Sequence, residues 1–240
     1  MNKIPKRALL FVVAVTLAAA TVVAHAMSGM HVWHRYESLT LLVIALAASR
    51  LRLRLPGLTG NMSVNVPFIL IAMVQLSLVE AIVVGVASTI TQCFPKQGGK
   101  PKAMQVVFNV GTVAVAVGLG RWILQHPLAM KFPVTSAGLL LSLSAATFFL
   151  AQTIPVATII SLNEGGNVVR IWSSIFHLSF PYYVLSAGVT SIVTIASQTG
   201  WRTSLLVLPV MYGVYCSYRL YFGRAVEPRP SMALAKGASC

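Results

Sequence analysis

The sequence predicts an all-α, polytopic membrane protein: a bundle of about eight transmembrane helices with one amphipathic helix at the membrane interface. Of its 240 residues, 57% are hydrophobic and 9% are charged, whereas a soluble domain carries about 25% charged residues. Apolar runs long enough to cross a hydrocarbon core of about 30 Å recur between residues 8 and 222. Basic residues gather at the ends of these runs, as they do in cytoplasmic loops. The composition excludes a soluble globular domain.

The first apolar run, residues 8–24, follows a basic start and ends in Ala24-His25-Ala26. That tripeptide has the form of a signal-peptidase site, but the run is long for the core of a signal peptide. We therefore favour an uncleaved first span. Cleavage would leave seven spans and would not change the orientation of the rest of the chain.

The second run, residues 36–49, leads into the basic segment 50–54, and a further apolar stretch covers residues 63–94. This stretch could form one long tilted helix or two short ones. A single span would place one of the flanking basic clusters outside, whereas a hairpin turning near residues 78–80 keeps both inside. The charges thus predict two short helices, 63–77 and 79–94.

Residues 104–125 and 136–162 are predicted to be full spans. The first contains Gly111, Gly118 and Gly120, and small residues of this kind let neighbouring helices approach closely in lipid. The second contains Pro155, which is expected to kink it.

Residues 168–180 are predicted to form the interfacial helix, because aromatic residues recur at helical spacing and polar residues interrupt them. Pro181 is expected to end that helix. Two more spans, 182–196 and 203–222, complete the single membrane domain, 1–222. Residues 223–240 are expected to form a short, disordered cytoplasmic tail.

This topology places both termini in the cytoplasm of a bacterium, with the chain in the plasma membrane. It leaves 14 basic residues inside and 4 outside, which sum to the 18 in the sequence. The outer four are Arg35, Arg121, Lys131 and Arg202. Because the charges lie at segment ends and not on one soluble face, the lipid bilayer is the expected partner and nucleic acid is not.

The residue types needed for membrane enzymes are scarce. The chain has no aspartate and four glutamates, so a two-aspartate protease is excluded, and no His-Glu-x-x-His, Gly-x-Ser-x-Gly or P-loop pattern occurs. Proton relays are usually built from Asp, Glu and His, so a pump is disfavoured. We expect a protein that is not an enzyme and has no cofactor.

Four histidines, His25, His31, His34 and His126, fall on the outer side of this topology. Imidazoles bind zinc or copper and titrate near neutral pH, so a metal site or a pH sensor is one interpretation. The other is that interfacial loops tolerate histidine, because the spacing fits no strong ligand pattern.

Polar residues inside the apolar runs are costly unless they have partners. Asn65, Glu80, Asn109 and Gln152 are therefore candidates for a ligand pocket. Hydrogen bonds between helices are the alternative role for such residues. Glu80 is the most informative to test, because acids are so rare in this chain.

Four segments resemble the N-terminal multi-pass membrane sensor region of bacterial signalling proteins that carry HD-GYP or GGDEF output domains for cyclic dinucleotide turnover. These segments are LPGLTGNMSVN at 55–65, KQGGKPK at 96–102, QVVFNVG at 105–111 and YRLYFGR at 218–224. In such proteins a cytoplasmic linker and effector would follow the last helix, whereas here the chain ends soon after residue 224.

The resemblance implies a stand-alone sensory module that acts through a cytoplasmic or membrane signalling partner. It implies no particular ligand and leaves a homo-oligomer open. Short paired helices with few charges are also typical of the substrate-binding membrane subunits of vitamin-type importers. A transporter subunit is therefore the alternative hypothesis.

Overall fold

The computed structural model describes residues 5–29, 35–54, 61–94, 103–125 and 137–196, together with single helical positions at 209, 212–213 and 216–217. Within these residues the chain forms seven helices and one pair of antiparallel three-residue strands. In chain order the elements are α1 (Lys6–Ser28), α2 (Arg35–Ser49), β1 (Arg52–Arg54), β2 (Asn61–Ser63), α3 (Val66–Gln75), α4 (Leu78–Cys93), α5 (Ala103–Gln125), α6 (Ala137–Glu164) and α7 (Val168–Ala196). The predicted helical bundle is confirmed for this part of the chain. The predicted tail lies outside the described residues, as does most of the last span.

Helices α1 and α5 pack side by side in the same direction. The rings of Phe11 and Phe108 are 6.1 Å apart between centroids. Further along both helices, Val15 lies against Gly111 and Val22 lies against Gly118. The glycines predicted to allow close helix approach thus do so at this contact.

Gly118→Ala is expected to loosen α1 from α5. A Cβ atom on Gly118 would lie 2.5 Å from Val22 Cγ1, and overpacking of this kind costs about 1–3 kcal/mol. That exceeds the gain of up to about 1 kcal/mol from replacing a helical glycine. The thermal unfolding midpoint should fall for Gly118→Ala and recover when Val22→Ala is added. Gly188→Ala, where nothing lies within 4 Å, is the matched control, and an equal fall there would contradict the packing explanation.

Residues 66–93 form the two short helices that the charge pattern predicted. The break falls at Leu76 and Ser77, where the backbone is extended. At the other end of the hairpin, Asn65 Nδ2 donates a hydrogen bond of 3.0 Å to Ser88 Oγ on α4. The two helices are therefore antiparallel.

Helix α3 is enclosed by other helices. Eight of its ten residues, 66–73, are buried, and on the α7 side Thr190 Oγ1 donates to the carbonyl of Pro67. At about 1.5 Å per residue α3 is about 15 Å long, roughly half the thickness of a hydrocarbon core. It lies at the centre of the bundle and covers about half the thickness of a membrane.

Helices α6 and α7 pack through a cluster of aromatic rings centred on Phe149. Its ring centroid lies 5.7 Å from that of Phe176, 6.1 Å from that of Phe180 and 4.7 Å from that of Tyr183. Closer to the connection between the helices, Trp172 Nε1 donates to Thr153 Oγ1 at 3.2 Å. These contacts make α6 and α7 antiparallel.

The prediction of a separate interfacial helix at residues 168–180 is wrong. Helix α7 continues through Pro181 as one helix of 29 residues. Proline removes only one hydrogen bond from a helix, and neighbouring helices can hold such a helix together. Here Phe176 before the proline and Tyr183 after it both pack on Phe149. Helix α6 therefore supports α7 on both sides of Pro181. Helix α6 likewise continues through Pro155.

Three described helices are long and apolar enough to cross a membrane: α1, α5 and residues Gly138–Glu164 of α6. Large apolar side chains face outward on them. Leu10 and Leu17 on α1 and Leu139 on α6 are each more than half exposed. An outer surface of this kind matches a lipid environment better than water.

Candidate functional site at the turn between α3 and α4

The C-terminal end of α3 is capped by an arginine from another helix. The amide of Leu76 closes the last turn on the carbonyl of Ala72, which leaves the following carbonyls without donors from the helix itself. Arg121, near the end of α5, donates through Nη1 to the carbonyl of Met73 and, at 3.4 Å, to that of Val74. The guanidinium is therefore fixed against the end of α3.

Close packing of three helices positions this arginine. The residue before it, Gly120, has no side chain, and a Cβ there would meet Met73 on α3 and Ser144 on α6. Ser144 Oγ donates to the carbonyl of Gly120 at 2.8 Å. Helices α3, α5 and α6 thus meet at Arg121, and a larger residue at 120 would push them apart.

Helix α4 begins on the other side of the same turn with a capping box. The carboxylate of Glu80 accepts hydrogen bonds from the Ser77 amide at 3.0 Å and from the Ser77 hydroxyl at 2.8 Å. In return, Ser77 Oγ accepts from the Glu80 amide at 3.4 Å. This reciprocal pattern satisfies helix-end donors and favours a negative charge at a helix N-terminus. Glu80 is 2% exposed, and both of the bonds from Ser77 end on the same carboxylate oxygen, Oε2.

Two buried N–H donors at this turn have no acceptor within the described part of the chain. They are Nε of Arg121 and the side-chain amide nitrogen, Nε2, of Gln75, the last residue of α3. A buried donor without an acceptor costs about 1–3 kcal/mol. We call the carbonyl end of α3, with Gln75, Arg121 and the capping box of Glu80, the turn site.

The four predicted ligand-binding residues do not gather around one point. Glu80 lies at the turn, whereas Asn65 bonds to Ser88, eight residues further along α4 and therefore about 12 Å away. Asn109 Nδ2 on α5 lies 3.5 Å from Cys93 Sγ at the far end of α4. These contacts join helices, which is the alternative role that the sequence left open for Asn65 and Asn109.

Gln152, the fourth of these residues, lies half-buried on α6 and also carries a buried Nε2 without an acceptor among the described residues. It sits beside Thr153, which holds Trp172 of α7. Of the four residues of the predicted pocket, only Glu80 lies at the turn site.

Of the four predicted metal-binding histidines, the structure describes His25 alone. It is exposed in the last turn of α1. His31, His34 and His126 lie outside the described residues. Within the described ranges no three His, Cys, Asp or Glu side chains come together as a metal site would require. The external metal site stays a prediction.

The sequence analysis missed Arg121, which it counted only as a charge on the outer side. The available signal was its position inside an apolar run, immediately after Gly118 and Gly120, where the chain can approach another helix closely. An arginine at the edge of an apolar helix can instead extend toward headgroups. The contact to α3 joins residues 48 positions apart, so local sequence does not distinguish the two cases.

Chemically, the turn site offers N–H donors and one positive charge. Its carboxylate is engaged in the capping box, and it contains no hydroxyl–histidine or thiol–histidine pair of the kind that activates a nucleophile. The arrangement suits the binding of oxygen acceptors. Comparisons of the chain with protein-family models, curated proteins and solved structures found no match.

Proposed function

We propose that the protein is a non-enzymatic, multi-pass protein of the bacterial plasma membrane, with about eight spans and both termini in the cytoplasm. It works as a sensory module that passes its signal to a partner protein. The helix directions support this topology. Helices α1 and α5 are parallel, α4 is antiparallel to both α3 and α5, and α7 is antiparallel to α6. An alternating path through the bilayer requires these relations.

The observation that carries the sensory proposal is the turn site. Buried donors without acceptors are rare in folded proteins and call for an explanation, of which an absent ligand is one. At the turn site they are held by helices that meet tightly. In the proposed topology Arg121 lies at the outer face. A binding site there is what an input module needs.

The resemblance to bacterial sensor regions supports the same proposal. Three residues in the matching segments, Asn65, Asn109 and Gly111, make contacts between helices. Asn65 joins α3 to α4, Asn109 joins α5 to α4 and Gly111 joins α5 to α1. No ligand follows from it.

One observation favours the transporter alternative. Helix α3 ends inside the bundle against a charged residue, and interrupted helices of this kind form substrate sites in many transporters. A subunit of an importer would require an ATPase, since the described residues and the sequence motifs offer none.

The sensory and transporter hypotheses differ in the proteins expected to bind this one in the membrane. The tagged protein would be cross-linked in native membranes, solubilised in mild detergent and analysed by mass spectrometry beside an unrelated tagged multi-pass protein. We expect a cyclic dinucleotide enzyme or a kinase to be enriched over that control. Enrichment of an ATPase pair would support transport instead, and enrichment of neither class would contradict a partner-dependent role.

A further inference from the structure

We propose that the turn site binds an oxyanion through Arg121 and Gln75. This inference deepens the proposed function by naming a ligand class, and it uses that function only to place the site at the outer face of the membrane. The shared chemistry is a phosphate group, either free in solution or in the headgroup of an anionic lipid. The argument starts from the charge of Arg121.

The positive charge of Arg121 has no carboxylate partner in the described part of the chain. Its acceptors there are the carbonyls of Met73 and Val74. The end of a helix provides the equivalent of about half a negative charge, so about half of the arginine's charge is left without compensation. Glu80, the acid of the same turn, directs its carboxylate to Ser77. An anion would supply the missing charge.

The donors left without acceptors are of the kind that an oxyanion uses. Arg121 Nε and Gln75 Nε2 are both buried, so water does not replace the missing acceptor. Arginine presents several N–H groups in a fixed plane, which suits phosphate and carboxylate oxygens. A tetrahedral oxyanion has enough oxygens to accept from Arg121 and from an amide at the same time.

The turn site lies beside an exposed residue of α5. Arg121 is half-buried, and the next residue, Trp122, is 60% exposed. Tryptophan is enriched at the level of lipid headgroups. Trp122 therefore places this end of α5 at the depth at which phosphate groups of lipids and of external solutes are both present.

The test measures the thermal unfolding midpoint of the purified protein in a zwitterionic detergent, titrated with sodium phosphate against sodium chloride at equal ionic strength. Specific binding raises the midpoint with the logarithm of ligand concentration above the dissociation constant. A second arm compares nanodiscs of phosphatidylcholine with and without phosphatidylglycerol. A response to phosphate identifies a free anion, and a response to phosphatidylglycerol alone identifies a lipid headgroup.

Two variants tie the response to the site. Arg121→Gln should abolish it, and Gln75→Met should shift the half-maximal concentration upward by roughly three- to tenfold, the loss expected for one hydrogen bond. Without ligand, Gln75→Met should be at least as stable as the wild type, because it removes a buried donor that has no acceptor. This second variant keeps the test valid if Arg121→Gln fails to fold.

The matched controls are Gln105→Met and Arg170→Gln, which change the same residue types at exposed positions on α5 and α7. Both should respond as the wild type does. The proposal is overturned if neither phosphate nor phosphatidylglycerol stabilises the wild type, or if the response survives in Arg121→Gln. Binding is measured on the purified chain, so its failure is distinct from a failure to recover a signalling partner.

Discussion

Phe149→Ala is expected to destabilise the bundle more than any other single substitution considered for this protein. Phe149 is 3% exposed and its ring contacts three other rings on α7. Truncation of a buried phenylalanine costs about 3–5 kcal/mol, because packing is lost and a cavity remains. Packing is also the main attraction between helices in lipid. The free energy of unfolding, measured by denaturant titration in mixed micelles, should fall by that amount.

The neighbouring residue provides the control. Leu150 is 40% exposed and lies on the same helix, so Leu150→Ala changes a similar apolar volume without opening the α6–α7 contact. It should change the free energy of unfolding by less than about 1 kcal/mol, as surface substitutions usually do. If the two variants were equally stable, the aromatic cluster would not be what holds α7 against α6.

The positions of the helices followed largely from apolar runs and charge. Each described helix begins and ends within a few residues of a predicted segment, except at Pro181. The break between α3 and α4 is the clearest case, because hydropathy alone permitted one long helix. The basic clusters at 50–54 and 96–102 decided for a hairpin, and the structure has its turn at Leu76 and Ser77.

The error at Pro181 has a physical origin. Trp172, Phe176 and Phe180 follow one another at four-residue spacing, which fits an amphipathic helix at an interface. The same spacing fits a packing stripe, and the rings of Phe176 and Phe180 stack 4.7 Å apart beside Phe149. Only the partner helix distinguishes the two arrangements, and a single sequence does not reveal which helix is the partner.

The candidate site was harder to predict than the fold. Glu80 was selected because acids are rare in the chain, and it does lie at the turn site. Arg121 becomes notable only when α3, α5 and α6 are assembled, since its missing acceptor is a property of the packed bundle. Asn65 and Asn109 looked alike in the sequence, yet their contacts serve helix packing.

The second large effect is expected for Arg52→Glu combined with Arg54→Glu. These residues form β1 between α2 and the α3 hairpin, on the side proposed to be cytoplasmic. Each basic residue near an anionic membrane surface contributes about 1 kcal/mol, so reversing two charges changes the preference of this loop by about 2–4 kcal/mol. The loop should lose its cytoplasmic location, and the α3–α4 hairpin should insert incorrectly or be degraded.

A cysteine reporter in the same loop measures this effect. The reporter is Gly60→Cys in a chain whose three native cysteines are replaced by serine. In spheroplasts, a membrane-impermeant maleimide should not label this cysteine when Arg52 and Arg54 are present, and should label it in the double glutamate variant. Arg52→Lys with Arg54→Lys keeps both charges and should stay unlabelled. The other loops should keep their sides, because the 11 basic residues of the other inside segments would still face the 4 outside. Unchanged protection in the double glutamate variant would mean that α3 and α4 are held by packing around Arg121 and not by the charges of the loop that precedes them.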